Sequence, residues 1–263
     1  MPKKPSLQEI KNTSENLAAT TIRLNKALAH AGYCSRRAAD ELIAAGKVQV
    51  NGKQAEAGQQ VSLTDQIKVE GKPVKLNINE PYRYIMLHKP VHVVSTAKDP
   101  QNRQTVLDIL PENLRYSRVY PVGRLDYFSE GLLLLTDDGE LTFRLTHPGW
   151  HIPRVYEVKV RGVVEEAKLQ TMRAGMTLQE GEKLAPVEVE VEAVERGDSV
   201  LKLILHQGIN RQIRRMCRDL DLTILYLRRV EIGPLKLGAL PLGEARRLTE
   251  QEINLLYKAL KLE

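Results

Sequence analysis

Gly123-Arg124-Leu125-Asp126-Tyr127-Phe128-Ser129-Glu130-Gly131-Leu132-Leu133-Leu134-Leu135-Thr136 carries a single aspartate ahead of an unbroken apolar run. Four consecutive leucines ahead of Asp137-Asp138-Gly139 predict a short strand buried on both faces and ended by a turn. Asp126 then lies at the edge of a core, where a carboxylate is costly unless it is paired or chemically employed. On spacing alone the simplest reading is a structural ion pair with Arg124.

Outward from this strand, residues 84–87, 91–95 and 200–205 read as further strands, residues 155–160 and 187–194 alternate with period two as strands do, and residues 140–146 read as a short helix. In residues 187–194, Glu188, Glu190 and Glu192 form one polar face, so the other face is expected to cover a core and the acidic row to face away from any polyanion. The summary is an α+β domain with a mixed, largely antiparallel sheet. Tyr156 shares a strand face with Val158 and Val160. A core tyrosine with its hydroxyl bonded is the default there, and an aromatic platform for an extruded base is the sharper alternative.

Asn210-Arg211-Gln212-Ile213-Arg214-Arg215-Met216-Cys217-Arg218 reads as a helix capped by Asn210. Arg211, Arg214, Arg215 and Arg218 fall at i, i+3, i+4, i+7 on one side, with Ile213, Met216, Cys217 and Leu220 near the other. Four arginines on one stripe repel one another, so an external anion is expected to compensate them.

The N-terminal third is a separate small module. Residues 1–21 read as a flexible tail. Leu24, Ala27, Leu28 and Ala31 give one amphipathic helix ending at Gly32, and Ser35 caps a second with Ala38, Ala39, Leu42 and Ile43 on its apolar face. Val48 and Val50 run into Asn51-Gly52, a hairpin signal, with Lys53 on the return. Arg36 and Arg37 occupy the first turn of the second helix, where the backbone dipole favours anions, so their placement together points to a phosphate, while for any one of them a solvated surface is the default. Lys26, Lys47 and Lys53 extend that patch, and residues 71–81, with Pro73 and Pro81, read as a linker.

The 263 residues allow one large and one small domain, and 39 Lys and Arg against 33 Asp and Glu permit a polyanionic partner. Two distant cysteines, Cys34 and Cys217, argue against a disulfide framework or a zinc site and fit a reducing cytoplasm. No apolar run has the length of a signal peptide or a membrane span.

Three motif groups together resemble a known family. Residues 23–28, 34–40 and 46–53 resemble the S4 RNA-binding domain (αL-type), whose members bind structured RNA by shape and backbone. Gly123-Arg124-Leu125-Asp126 with Gly131-Leu132 resembles the catalytic motif of the ribosomal small- and large-subunit pseudouridine synthases. Arg154-Val155-Tyr156 is similar to their tyrosine motif and residues 208–216 to their basic motif, with residues 227–235 and 241–248 matching their C-terminal elements. The resemblance implies a tail (1–21), an S4 domain and linker (22–80) and a catalytic domain (81–263). It reverses the structural reading of Asp126.

What it implies is isomerisation of uridine to pseudouridine in ribosomal RNA. The N1–C1′ bond breaks, the uracil turns over, and C5 rejoins C1′, with no cofactor and no metal. A carboxylate, Asp126, either attacks C1′ or removes the 2′ proton, and both routes need it ionised. The resemblance assigns Arg214 to hold that charge, Tyr156 to stack on the flipped base, and Arg124, Arg211, Arg215, Arg228 and Arg229 to contact RNA. Residues 93–96 and the basic run lean toward the large-subunit enzymes, whose nearest members modify a 23S rRNA hairpin loop near the peptidyl-transferase centre. One of them also acts on a tRNA anticodon. A monomeric, cytoplasmic bacterial enzyme with no membrane partner is the expectation. Two features depart from the family: His88, where asparagine is commoner before Lys89-Pro90, and residues 99–103. A non-catalytic S4 protein and a base glycosylase are the competing classes, the second separable by release of free base.

Overall fold

The structure, a computed structural model, describes residues 21–76, 81–116 and 118–262. The expected tail lies outside them apart from Thr21. The chain divides into two compact units, Met1–Pro81 and Tyr82–Glu263.

The first unit runs β1 (Ile22–Arg23), α1 (Leu24–His30), α2 (Arg36–Ala44), β2 (Val48–Val50), β3 (Lys53–Gln54), β4 (Gln60–Val61), β5 (Ile67–Val69) and β6 (Lys72–Val74). The apolar faces read from the sequence meet in one core, with Leu24, Ala27, Leu28, Ala39 and Ile43 packed on Val48, Val50, Ile67 and Val69. Ser35 caps α2, its hydroxyl accepting the Ala38 N–H at 3.2 Å. Asn51 and Gly52 have φ of 50° and 80°, the left-handed pair a tight hairpin turn demands. Two expectations change. Lys72–Val74 pairs with β5 in the order β3-β2-β5-β6, so the segment read as linker opens with a strand. Lys47 forms a surface ion pair with Glu70 at 2.7 Å, which offsets its charge in the basic patch. Arg36, Arg37 and Lys53 are exposed, Lys26 is half-buried, and no acid occupies the first turn of α2.

The second unit runs β7 (Tyr84–Lys89), β8 (Tyr120–Pro121), β9 (Glu130–Thr136), α3 (Gly139–Thr146), β10 (Arg154–Val160), α4 (Glu166–Ala174), β11 (Glu188–Glu195), β12 (Asp198–Leu205), α5 (Gln212–Asp219), β13 (Ile224–Ile232), β14 (Leu235–Lys236), β15 (Ala245–Arg247) and α6 (Glu250–Ala259). Its sheet has the order β11-β12-β10-β13-β9-β7-β15, with β8 on β9 and β14 on β13. Among the described strands only β13 and β9 pair in parallel. All four leucines of β9 are fully buried, and the alternation of a strand explains how. Leu132 and Leu134 join Leu141 and Leu145 of α3 and Leu256 of α6, while Leu133 and Leu135 join Val93, Val106, Leu110 and Leu114 on the other face. Asp138, read as part of a turn, caps α3 by accepting the Glu140 and Leu141 N–H groups at 3.0 Å.

Two elements differ from expectation. Residues 91–95 form a turn with one isolated bridge, Val94 to Thr105, because His92 takes a φ of 64° that no strand tolerates. On the outermost strand β11, Val189 is buried but Val191 and Val194 are 39% and 55% exposed. A register shift between Val191 and Ala193 breaks the alternation there, so the apolar face covers the core over half its length.

The β9–β13 contact admits no side chain at Gly131. Its φ is +112°, and a Cβ would stand 2.3 Å from the Arg229 carbonyl oxygen and 2.5 Å from the Arg229 nitrogen. Gly131→Ala is expected to cost about 3 kcal/mol through strain and strand separation. At roughly 3 °C per kcal/mol for a domain of this size, thermal unfolding should show a loss near 10 °C.

Candidate active site

The loop between β8 and β9 is fixed before its side chains act. Leu125 is buried, and the Ser95 hydroxyl bridges its N–H (3.2 Å) and its carbonyl (2.9 Å). Lys89, fully buried at the end of β7, donates through Nζ to the carbonyls of Pro90 (2.8 Å), Asp126 (3.2 Å) and Ser129 (2.8 Å). Three acceptors match the three N–H bonds of an ammonium, so the group stays charged at neutral pH. Burial pushes its pKa down to about 8, opposed by the Asp126 charge and reinforced by Arg229.

On this loop the Asp126 carboxylate accepts the Phe128 N–H at Oδ1 (2.9 Å), and at Oδ2 the Ser129 hydroxyl (2.8 Å) and Arg214 Nε (2.9 Å). Arg214 Nη2 closes the ring by donating to the Ser129 hydroxyl at 3.0 Å. Arg211 stands 3.8 Å from Oδ2. The partner is Arg214, 88 residues along the chain, as the resemblance implied, and not Arg124, which spacing alone suggested. Burial raises the Asp126 carboxyl, but the Arg214 bond and charge, the Ser129 hydroxyl and the Phe128 amide outweigh it and hold it below the usual carboxylate range. A carboxylate offers about four lone-pair sites. Three are used, and one remains for a ligand.

Asp126 opens into a cavity of about 710 Å³. Its walls bring together Asp126, Arg124, Tyr156, Arg211, Arg214 and Arg229, but not Arg215 or Arg228. The sheet explains the convergence. Tyr156 of β10 lies directly opposite Arg229 of β13, so both side chains project from one face, and β13 pairs with the first residues of β9 next to Asp126.

Residues 83–219 match the RNA pseudouridylate synthase family, and residues 22–67 match the S4 domain. The chain belongs to the RNA pseudouridylate synthase family. It is 42% identical to the ribosomal large subunit pseudouridine synthase B of Bacillus subtilis, over 89% of this chain and 95% of that one. It is 36% identical to the dual-specificity RNA pseudouridine synthase RluF of Escherichia coli K12, over 93% and 81%. A crystal structure of a pseudouridylate synthase superposes with a TM-score of 0.63 at 30% identity, covering 89% of this chain and 99% of that one. The family converts uridine to pseudouridine in RNA, and this chain is an enzyme of that kind.

In this pseudouridine synthase the arginine stripe is not one surface. Helix α5 begins at Gln212, and Arg211 precedes it with a left-handed φ of 48°, so Asn210 is no cap. Two of the stripe's four arginines are compensated from within the chain, not by an external anion. Arg215 pairs with Glu182 (2.6 Å) and Glu180 (3.2 Å), and Arg218 with Glu180 and Asp219 (both 2.7 Å). Those carboxylates lie on a remote loop and at the helix end. Arg228 is likewise held by Glu130 at 2.7 Å. Arg229 is buried in the cavity wall, donating through Nε to the Leu132 carbonyl at 2.9 Å. Of the arginines assigned to RNA contact, Arg124 and Arg211 are therefore the ones that line the cavity and stay exposed. His88 is buried, its Nδ1 donating to the Leu240 carbonyl at 2.8 Å, which removes it from RNA contact. The unusual residues 99–103 supply an ion pair at the cavity wall, Asp99 with Arg103 at 2.8 Å.

Sequence reading missed Lys89, Ser129 and Arg154. Ser129 stood inside the quoted motif and Lys89 beside a proline, but only the fold reveals what they bond. Arg154 lines the cavity two residues from Tyr156 and donates to the Leu145 carbonyl at 2.8 Å.

Proposed function

We propose that this chain isomerises one uridine of large-subunit ribosomal RNA, with Asp126 as the carboxylate that acts at the ribose. The observation that carries the reading is an ionised carboxylate with one free acceptor site, tied to Arg214 at 2.9 Å inside a cavity of nucleotide dimensions. The named substrate of the Bacillus subtilis relative supports the large subunit as the source. The target has to leave its stack to reach Asp126, at a cost of a few kcal/mol. Tyr156 stacks on the extruded uracil and limits its escape while detached, Arg214 keeps Asp126 charged, and Arg124 and Arg211 hold neighbouring phosphates. A hairpin loop near the peptidyl-transferase centre is the proposed target. The proposal takes the enzyme to be monomeric and cytoplasmic, and no described helix is long and apolar enough to cross a membrane.

Tritium release from 5-labelled uridine in unmodified large-subunit, small-subunit and transfer RNA tests the assignment. Release from the large-subunit transcript supports it, and release from another class alone defeats it.

The S4 domain gives a second readout. Replacing both Arg36 and Arg37 with alanine is expected to weaken RNA binding and to flatten the plot of log affinity against log salt by roughly 1.5, two phosphate contacts' worth. An unchanged slope would remove these residues from the interface.

A further inference from the structure

The chain has two phenylalanines, and one of them, Phe128, is 56% exposed two residues from Asp126. The other, Phe143, is 51% exposed as well, so what sets Phe128 apart is not exposure but its place beside the Asp126 carboxylate. Phe128 is not a loose side chain. Its own N–H is bonded to Asp126 Oδ1 at 2.9 Å, and the Ser129 N–H is bonded to the Asp126 carbonyl at 3.1 Å. Two further rings brace it. Tyr127 lies 5.3 Å away at 86° and His92 5.8 Å away at 87°, both edge-to-face, and His92 stands 5.2 Å from Tyr127. The His92 N–H donates to the Tyr127 carbonyl at 2.6 Å, which joins the turn after β7 to the Asp126 loop and fixes the left-handed His92 backbone.

The cluster is continuous with the cavity, since Tyr127 is one of its lining residues while Phe128 lies outside them. The mouth carries exposed Arg124 and Lys98. An aromatic face beside cations suits a nucleobase with its phosphate, whereas an acidic or purely apolar protein surface would meet only one of the two. Extrusion of the target uridine also strips a stacking neighbour from the adjoining base.

We propose that Phe128, braced by Tyr127 and His92, is a stacking platform for an unpaired RNA base flanking the target uridine, so that the loop carrying Asp126 also measures the shape of the RNA beside it. This rests on the proposed action of Asp126 on RNA. Stacking is indifferent to base identity, so the platform selects unpaired loops over duplex and leaves sequence to other contacts.

The test uses the full chain with Phe128→Ala, Phe128→Trp and Phe128→Leu on an unmodified large-subunit rRNA transcript, with filter binding for Kd and tritium release for KM and kcat. Alanine keeps the backbone amide that holds Asp126, and the position is exposed, so unchanged thermal unfolding is the folding control. Alanine should raise Kd and KM about tenfold with kcat within about threefold of the parent, tryptophan should restore both, and leucine should not. His92→Ala, which removes one brace, should raise KM by a smaller factor. Kd and KM unchanged in Phe128→Ala, or full rescue by leucine, would overturn the platform. A parent enzyme that binds the transcript through Phe128 and converts nothing would leave the platform standing and sink the assignment of Asp126 instead.

Discussion

Asp126→Asn is expected to lose conversion by a factor of at least about 10³ while RNA binding stays within a few-fold of the parent. An amide has nearly the shape of a carboxylate but neither its charge nor its nucleophilic oxygen, so attack at C1′ and removal of the 2′ proton fail together. Each tenfold corresponds to about 1.4 kcal/mol of barrier, so the loss exceeds about 4 kcal/mol. Binding survives because Arg124 and Arg211, at the cavity mouth, are untouched, and Arg214, released from Oδ2 at 2.9 Å, stays cationic. Stability should fall by about 1–3 kcal/mol, since Arg214 and Ser129 both bond one oxygen that an amide serves poorly. Tritium release measures the first effect and filter binding the second. Residual turnover within tenfold of the parent would remove Asp126 from the chemistry.

How much of this could be read from the sequence depended on the range of the interaction. The leucine strand was legible because a two-sided burial requires an uninterrupted apolar run, and the run was there. The caps at Ser35 and the turn at Asn51-Gly52 are interactions between near neighbours, and they too follow from the sequence. Partner choice was not legible from spacing, and only the resemblance to the family pointed to Arg214. Asp126 has Arg124 two residues away and bonds Arg214 instead, because the parallel pairing of β13 with β9 sets the strand after α5 beside the loop. The arginine stripe misled for the same reason. Its neutralising carboxylates, Glu180 and Glu182, stand 33 to 35 positions from Arg215, so periodicity registers the repulsion and not the relief. Lys89 was invisible as a clamp because all three of its partners are main-chain carbonyls, which carry no sequence signature.

Arg214→Gln should cost about 10² to 10³ in rate and move the acid limb of the pH–rate profile upward, an effect that loss of packing alone would not produce. In the parent, burial favours the neutral Asp126 carboxyl, and the Arg214 bond and charge are the leading forces that reverse it. The ionised fraction therefore persists on acidification past the ordinary carboxylate value near 3.9, and activity is lost only as pH falls through the depressed folded value. With glutamine, burial acts against fewer opposing contacts, so the limb rises and the variant gains activity with pH where the parent is already level. Stability follows the same sign. A depressed folded pKa contributes stability that is present above the unfolded value and lost as pH falls through the folded one. The gap between parent and variant is thus widest at neutral pH and narrows in acid. Arg214→Lys separates charge from geometry. An ammonium restores the cation beside Oδ2 but cannot span Oδ2 and the Ser129 hydroxyl as the guanidinium does at 2.9 and 3.0 Å, so it should return the acid limb toward the parent and recover only part of the rate. Superimposable acid limbs in parent and Arg214→Gln would mean that the Asp126 charge is held by something other than Arg214.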